Sequence, residues 1–352
     1  MKKLNLKSNV YTYLLVIVAF IICQLLISGK MVGGQFKGLM VPICINIILA
    51  ISLNLTVGIL GELSLGHAGF MCVGAFAGSV FSIFLNEVIP NVWIRFPLAI
   101  LVGGVLAAVI GILIGIPVLR LKGDYLAIVT LAFGEIIKNL FNNFYLSSDK
   151  NGIHFAMSVE KYNNLGIDAA TEKIIINGSQ GITGTPNDST FLVAIILILI
   201  TLFVILNLVN SRSGRAIMAI RDNRIAAETT GINITKYKLI AFAISAFFAG
   251  TAGVLYSHNL YTLNASKFDY NQSILILVFV VFGGMGNMRG SIIAATILTA
   301  LPEVLREFND YRMLLYAILL IAMMVLSNND KFKVFMQNNP ISKLFRRKGG
   351  AE

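Results

Sequence analysis

The chain has 352 residues, of which 57% are hydrophobic and 13% are charged. Soluble proteins contain roughly 45–50% apolar and about 25% charged residues. A soluble protein of this length would need a charged surface that this composition does not supply, so we predict an integral membrane protein. The net charge of +11 does not predict nucleic-acid binding, because the basic residues lie in loops and tails between apolar stretches.

Apolar stretches follow one another along nearly the whole chain, and each crossing of a bilayer by a helix needs about 20 residues. We therefore predict a single membrane domain over residues 1–352, an all-α protein with about ten transmembrane helices. The first span is interpreted as an uncleaved helix rather than a signal peptide, because its apolar core is long. The predicted spans are about 10–28, 39–58, 66–85, 97–117, 125–145, 190–209, 239–258, 271–286, 291–307 and 313–327.

The charges of the loops predict how these spans are oriented. Loop 210–238 carries six basic and two acidic residues, a net charge of +4, whereas loop 146–188 carries three basic and five acidic residues, a net charge of −2. Cytoplasmic loops retain Lys and Arg. An even number of spans places loop 210–238 and both basic termini on one side, so we predict that all three are cytoplasmic and that loop 146–188 is extracytoplasmic.

Segment 213–231 places small and apolar residues near one helical face and most of its arginines on others. Gly231 is suited to end this helix in a left-handed conformation. We predict one short, basic, amphipathic helix at the cytoplasmic surface. It would either bind anionic lipid or dock a cytoplasmic partner, and the residues alone do not distinguish the two.

Segment 58–66 places three glycines and Glu62 between two apolar stretches. It is either a tight cytoplasmic hairpin or a broken helix that lines a transport path, since irregular backbone at membrane depth occurs only where protein or a water-filled cavity covers it. His67, directly after it, is more often a packing residue than a ligand. Glu135 and Lys138 lie on one face of the predicted span 125–145, and they form either part of a pathway or a pair that holds helices together.

Several motifs typical of ATPases and other enzymes are absent from the sequence, which limits the functions it can have. The sequence has no phosphate-binding loop of the G-x-x-x-x-G-K-[ST] type, so this chain is not expected to hydrolyse ATP itself. We identify no catalytic constellation, no Cys/His cluster of metal-ligand spacing and no cofactor motif, and we predict a protein that is not an enzyme.

Segment 283–290 is interpreted as a tight cytoplasmic turn. The pairs Gly74/Gly78, Gly111/Gly115 and Gly250/Gly253 predict close helix packing.

Several stretches together, in their order and spacing, resemble the LivM-type permease of branched-chain amino acid ABC transporters. One is Gly61-Glu-Leu-Ser-Leu-Gly-His-Ala-Gly69, and the others are residues 74–77, 120–137, 181–184, 214–231 and 282–291. Ile225 stands where other ABC permeases have Glu. The residue at position 185 is Thr where the family pattern has Gly.

The resemblance implies an ABC-importer permease fold in the plasma membrane of a prokaryote. It implies three kinds of partner besides membrane lipid: a LivH-like permease, two cytoplasmic ATPase subunits and an extracytoplasmic substrate-binding protein. It favours the docking role for segment 214–231. Urea or short amides are alternative substrates, and an ion-coupled secondary transporter is a different class that we weigh against the importer.

The resemblance also implies residue roles. The residues expected to couple the chain to the ATPase are Gly214, Arg215, Arg221, Asp222, Ala226, Ala227, Glu228 and Gly231. The candidates for the translocation pathway are Glu62, Ser64, His67, Thr130 and Glu135.

Overall fold

The computed structural model describes residues 6–28, 34–86, 88–121, 123–149, 152–163 and 173–306, together with isolated positions between 311 and 321. The chain divides into two compact units, residues 1–296 and 297–352. The described part of the second unit holds the end of the last long helix and an ion pair between Arg306 and Glu303 at 2.9 Å.

The described residues are mostly helical, as the sequence predicted. A π-helical turn, Leu55–Leu60, directly follows α2. The helices are α1 (Leu6–Ser28), α2 (Gly34–Asn54), α3 (His67–Leu85), α4 (Val92–Val118), α5 (Asp124–Asn142), α6 (Val159–Asn163), α7 (Phe191–Asn210), α8 (Arg212–Asp222), α9 (Arg224–Thr229), α10 (Ile234–Ser257), α11 (Tyr270–Gly283) and α12 (Met288–Val304).

Among the described residues, six helical segments are long and apolar enough to cross a membrane. They are Phe36–Leu60, His67–Leu85, Val92–Val118, Phe191–Asn210, Ile234–Ser257 and Ala265–Gly283. Helices α1, α5 and α12 cover three more of the predicted spans without meeting that standard of length and hydropathy. The tenth predicted span, 313–327, lies outside the continuously described residues.

The prediction of an all-α protein is wrong for segment 146–188, which folds in part as a β-sheet. Strands β1 (Tyr145–Asp149), β2 (Gly152–Ala156) and β3 (Lys173–Asn177) form an antiparallel sheet in the order β2-β1-β3. A second, two-stranded sheet pairs β4 (Ile182–Thr183) with β5 (Thr262–Leu263). These strands are short, so their alternation is too weak a signal to stand out in a sequence dominated by apolar helices.

Side-chain caps determine where several long helices begin. In each, the Asn, Asp or Thr before the first turn accepts a hydrogen bond from a backbone N–H of that turn, which would otherwise have no partner. The capped helices and their caps are α4 with Asn91, α7 with Thr190, α10 with Asn233 and α11 with Asp269.

Glycines bring α3, α4 and α10 into close contact, as the small-residue pairs predicted. A Cβ atom on Gly74 would overlap the backbone of Gly250, and one on Gly253 would overlap the carbonyl of Met71. A Cβ on Gly111 would lie 2.7 Å from the Cβ of Ala246. These three helices therefore form the centre of the first unit, and their separation leaves no room for a larger side chain.

A polar cluster ties segment 146–188 to the ends of three helices. Arg95, in the first turn of α4, forms an ion pair with Asp188 at 2.7 Å and donates to the side chain of Asn86, the residue after α3. His258, directly after α10, is hydrogen-bonded to the hydroxyl of Ser82 at 2.8 Å. Both Arg95 and His258 are buried, so their polar partners offset the cost of removing them from water.

The packing of α3 on α10 yields a stability prediction. We expect Gly74→Ala to destabilise the protein by about 1–3 kcal/mol, because the added methyl group meets backbone that has no rotamer with which to move away. The control is Gly38→Ala in α2, where no atom lies within 4 Å of the added Cβ and the lower chain entropy of Ala is neutral or favourable. Melting temperatures of the two variants in detergent measure the difference, and equal values would contradict the packing argument.

Candidate translocation and coupling site

Helix α2 ends in a turn of unusual geometry. Residues 55–60 are π-helical and fully buried, and Gly61 closes the turn in the left-handed conformation with φ of +79°. The N–H groups of Gly61 and Glu62 both donate to the carbonyl of Thr56, the latter at 3.1 Å. Turns of this kind are rare and occur frequently at functional sites.

Residues 61–66, which we call the return segment, are non-helical and lead into α3. The Nε2 atom of His67 lies 2.9 Å from the hydroxyl of Ser52, which precedes the end of the π-helical turn by eight residues. At a rise of 1.5 Å per residue, α3 therefore begins about 12 Å back from that end. The two sequence-based alternatives for this region were a tight hairpin and a broken helix; the structure has a non-helical backbone that reverses at Gly61 and runs back beside α2.

Side chains from two other helices hold the far end of the return segment. The N–H of Leu65 donates to the hydroxyl of Thr130 in α5 at 3.0 Å, and that hydroxyl donates to the carbonyl of Ala127 at 2.9 Å. The N–H of Ala68 donates to the hydroxyl of Ser273 in α11 at 3.1 Å. Thr130 thus contacts the return segment directly, and its family motif was the sequence signal that identified it.

The other polar residues of this region differ in how well they are satisfied. His67 is 2% exposed and makes its bond to Ser52, an arrangement that fits the packing role. Ser64 is 1% exposed, and its hydroxyl has no hydrogen-bond partner among the described residues. A buried polar group without a partner costs free energy. A change of conformation that gives the Ser64 hydroxyl a partner would therefore lower the free energy of the return segment.

Glu62 is paired with Lys238, which in the sequence is one of the six basic residues of loop 210–238. Its carboxylate forms an ion pair with Lys238 in the first part of α10. Lys238 is 1% exposed, and a buried ammonium group needs such a partner. A signal was available in the sequence, because Lys238 directly precedes the apolar run that begins at residue 239.

Glu135 has two partners. Its carboxylate forms an ion pair with Lys138 on the next turn of α5, and it accepts a hydrogen bond from the N–H of Tyr270 at 3.0 Å. That N–H belongs to the first turn of α11, where negative charge is favoured by the helix dipole. The carboxylate therefore holds α5 against α11, and its 27% exposed side chain leaves the pathway role a prediction.

The predicted single helix over 213–231 is wrong in one respect, because the structure has two helices, α8 and α9, with a break at Asn223. Asn223 has an extended backbone, and its side chain accepts a hydrogen bond from the N–H of Ala226 at 3.1 Å, which begins a new helix. Asn competes for such capping positions better than it propagates a helix. Together α8 and α9 are called the coupling helices below.

The ends of the coupling helices agree with the prediction for Gly231. Its φ is +83°, its N–H donates to the carbonyl of Glu228 at 3.0 Å, and the N–H of Ile232 donates to that of Ala227 at 3.1 Å. This pair of bonds is the motif that commonly ends a helix at glycine. At the other end, a Cβ on Gly214 would overlap the carbonyls of the last turn of α7, so glycine permits the sharp corner there.

The predicted coupling residues divide into a buried and an exposed set. The buried residues Ile220, Ala227 and Ile234 form a small apolar core that fixes α9 against α8 and α10. Ile225 projects from the first turn of α9 with 76% of its surface exposed. Of the predicted residues, Gly214 and Ala227 are buried, and the exposed ones are Arg215, Arg221, Asp222, Ala226, Glu228 and Gly231.

Arg221 connects the coupling helices to the end of α2. Its Nη1 donates to the carbonyl of Gly58 at 3.1 Å, and its Nε and Nη2 donate to the same oxygen of Asp222 at 3.1 and 3.0 Å. Its aliphatic stem lies against Gly61, where a Cβ would be 2.6 Å from the Cγ of Arg221. Neither contact was visible in the sequence, because 163 positions separate Arg221 from Gly58.

Segment 283–290 is a tight turn, as predicted, and it also contacts the end of α2. Gly284 and Gly286 have positive φ values of +87° and +82°. The buried side chain of Asn54 accepts from the N–H of Gly286 and donates to the hydroxyl of Ser291, both at 2.8 Å. In the described part of the chain, no group of three or more His, Cys, Asp or Glu residues is placed to hold a metal ion.

The bond between Leu65 and Thr130 yields a matched pair of variants. We expect Thr130→Val to destabilise the protein by about 1–3 kcal/mol, because it leaves a backbone N–H of the return segment without its acceptor. Thr201→Val in α7 is the control, since Thr201 is equally buried and donates only to the carbonyl of Leu197 in its own helix. Thermal unfolding in detergent measures both, and a drop for Thr201→Val as large as that for Thr130→Val would refute the specific role of the bond.

Comparison with known proteins now adds to this geometry. Residues 35–326 match the family described as the permease component of branched-chain amino acid transport systems. The chain is 38% identical over 290 residues to the high-affinity branched-chain amino acid transport system permease protein LivM of Salmonella typhimurium and 37% identical over 290 residues to that of Escherichia coli K12. It is 30% identical over 207 residues to the probable branched-chain amino acid transport permease protein LivM of Methanocaldococcus jannaschii, a match that covers 55% of this chain and 51% of that relative.

The first two matches each cover 80% of this chain and 66% of the relative, so the chain spans just under two thirds of their length. No solved structure matches the chain. The matched family is one of transport permeases rather than enzymes, in agreement with the sequence-based prediction. With 35–326 matched, the chain belongs to the family of permease components of branched-chain amino acid transport systems.

Proposed function

We propose that this chain is the membrane-spanning permease subunit of an ATP-binding-cassette importer that moves branched-chain amino acids across the plasma membrane of a prokaryote. The observation that carries the proposal is the family match over residues 35–326, joined to relatives whose names give branched-chain amino acid transport. The chain supplies the pathway, and separate ATPase subunits supply the energy.

The assembly that we propose contains a second, LivH-like permease subunit, two cytoplasmic ATPase subunits and an extracytoplasmic binding protein that delivers the solute. The coupling helices support the ATPase contact, because they present charged side chains and the exposed Ile225 on a rigid base of buried residues. An isolated exposed apolar side chain surrounded by charge is the composition of an interface anchor.

The arrangement in the membrane that we propose has ten spans with both termini cytoplasmic, loop 210–238 inside and segment 146–188 outside. Its support is the distribution of charge, since loop 210–238 carries a net charge of +4 and segment 146–188 a net charge of −2, and positive loops remain in the cytoplasm.

Two alternative functions were weighed: a different solute and a different class of transporter. Urea or a short amide could replace the amino acid without any change in the importer mechanism, because solute selection would reside chiefly in the binding protein. An ion-coupled secondary transporter is less well supported, since such proteins use intramembrane charges as ion sites and here both Glu62 and Glu135 are neutralised by lysines.

The docking prediction concerns Ile225. We expect Ile225→Lys to weaken binding of the ATPase subunits by about 2 kcal/mol, or roughly thirtyfold, because it removes a central apolar contact. The control is Val88→Lys, equally exposed at 76% but located between α3 and α4. Affinity purification of the tagged chain from its own membranes, with quantification of the ATPase subunits, measures the effect. Equal recovery from both variants would refute the role of Ile225.

A deletion tests the proposed function as a whole. We expect removal of residues 215–228 to abolish ATP-dependent uptake of branched-chain amino acids into vesicles, because the permease can no longer respond to the ATPase. Uptake that survives the deletion, or uptake by the purified chain alone without ATPase subunits, would contradict an ATP-driven importer and favour the secondary transporter.

Labelling tests the orientation. We expect Arg212→Cys to react with a membrane-impermeant thiol reagent only after the cells are opened, and Phe155→Cys to react in intact cells, since the two side chains are exposed and lie in the segments proposed as inside and outside. A cysteine-free background is required, with Cys23, Cys44 and Cys72 replaced. Labelling of Arg212→Cys in intact cells would overturn the topology.

A further inference from the structure

We propose that Arg221 and Lys238 form a two-point link that transmits movement of the coupling helices to the return segment, and that this link is what converts ATP hydrolysis into solute movement. Arg221 binds the end of α2 at Gly58, and Lys238 binds Glu62 at the start of the return segment. The inference rests on the proposed function and deepens it, because it assigns the positioning residues of an ATP-driven importer.

The first point of the link depends on a free carbonyl. The last carbonyls of a helix have no partner within it, and the π-helical turn ends at Leu60, so the carbonyl of Gly58 is available for Arg221. The negative end of the helix dipole adds to the attraction of the guanidinium group. Asp222 holds two other donors of the same guanidinium, which fixes the direction of the third. A displacement of α8 is therefore passed to the end of α2 through a charge-assisted bond with a defined orientation.

The second point of the link is a buried ion pair. Lys238 lies nine positions after the end of α9, in the second turn of α10, and moving it away from Glu62 would leave its buried ammonium group unpaired, which is strongly unfavourable. Glu62 is the second residue of the return segment, directly after the left-handed Gly61. Any movement of the start of α10 is therefore passed to Glu62, at the start of the return segment.

The opposite end of the return segment is held by different helices. Leu65 is bonded to Thr130 of α5 and Ala68 to Ser273 of α11. The non-helical residues between Glu62 and Leu65 have no repeating hydrogen bonds that would resist a change of conformation. Relative movement of α8 and α10 against α5 and α11 is consequently concentrated in residues 62–65.

The return segment also has a reason to prefer a second conformation. The hydroxyl of Ser64 is buried and unpartnered in the state described, and this penalty disappears in any state that offers it water, solute or a protein acceptor. A stimulus shifts a conformational equilibrium only through a difference in contacts between its states. Ser64 supplies such a difference at the centre of the segment that the link moves.

The test uses the complete transporter in proteoliposomes and compares ATP hydrolysis with solute uptake. We expect uptake per ATP hydrolysed, measured at equal amounts of bound ATPase subunit, to fall about tenfold or more in Arg221→Gln and Lys238→Met, the effect of losing one charge-assisted hydrogen bond on an equilibrium. Arg221→Lys, which keeps the charge but not the fork, is expected to be intermediate. The matched controls are Arg212→Gln and Lys236→Met, exposed basic residues of the same two helices, which should retain the wild-type ratio.

A reporter inside the return segment provides a second measurement. In a cysteine-free background, we expect the labelling rate of Leu63→Cys, next to Ser64, to change on ATP binding, and this change to be lost when Arg221→Gln is added. An unchanged ratio of uptake to ATP in the Arg221 and Lys238 variants would overturn the link, and so would a reporter that responds to ATP with or without Arg221. Loss of the ATPase subunits from these variants would also overturn it, because Arg221 would then be a docking residue. If the unaltered complex shows no ATP-driven uptake, the proposed function fails rather than the link.

Discussion

The structure depends on how one stretch of non-helical backbone is satisfied inside an apolar protein. Residues 61–66, between the π-helical turn and α3, are non-helical, and a chain that crosses a bilayer cannot leave unsatisfied backbone groups facing lipid. Side chains of other helices hold the segment and the residues on either side of it. Thr130 accepts from the N–H of Leu65 and Ser273 from that of Ala68 in α3, while Lys238 binds the carboxylate of Glu62 and Arg221 the carbonyl of Gly58. Four helices are thereby joined through a segment that has little structure of its own.

Among the described residues, charged side chains at the junctions between segments occur in pairs. Lys238 with Glu62, Lys138 with Glu135, and Arg95 with Asp188 each combine one cation with one anion at a junction between segments. Isolated charges in such surroundings are costly, and paired ones position the elements that carry them. An intramembrane carboxylate is a functional candidate by default, yet here Glu62 and Glu135 are each paired with a lysine, and Glu135 also accepts a bond from the backbone of α11. Their pairing favours a role in positioning helices over a role in binding an ion.

The sequence predicted what depends on local pattern. Hydropathy located the long helices within a few residues of their bounds, and the left-handed Gly231 and the tight turn at 283–290 followed from rules that involve neighbouring residues. It did not predict what depends on distant contacts. The bond from Arg221 to Gly58 and the pair of Lys238 with Glu62 join positions that are 163 and 176 residues apart. The break at Asn223 was local, but helical periodicity over 213–231 concealed it, because the apolar residues of α8 and α9 still meet on one side. The β-strands of segment 146–188 were missed for lack of length.

Two different contacts hold the end of α2: close packing at a glycine and a hydrogen bond from an arginine. Gly58 lies against the backbone of Gly286, and Asn54 bonds to both sides of the same turn, so α2 and the turn after α11 are joined by close backbone packing and by the buried side chain of Asn54. Packed interfaces of this kind have discrete arrangements rather than a continuous range. Arg221 reaches the same end of α2 from α8, and Asp222 holds the direction of its guanidinium group. Because the packing with Gly286 fixes one side of α2, we expect a displacement of α8 that is passed on through Arg221 to be taken up at Gly61 and the residues that follow it, where the left-handed glycine allows the backbone to turn.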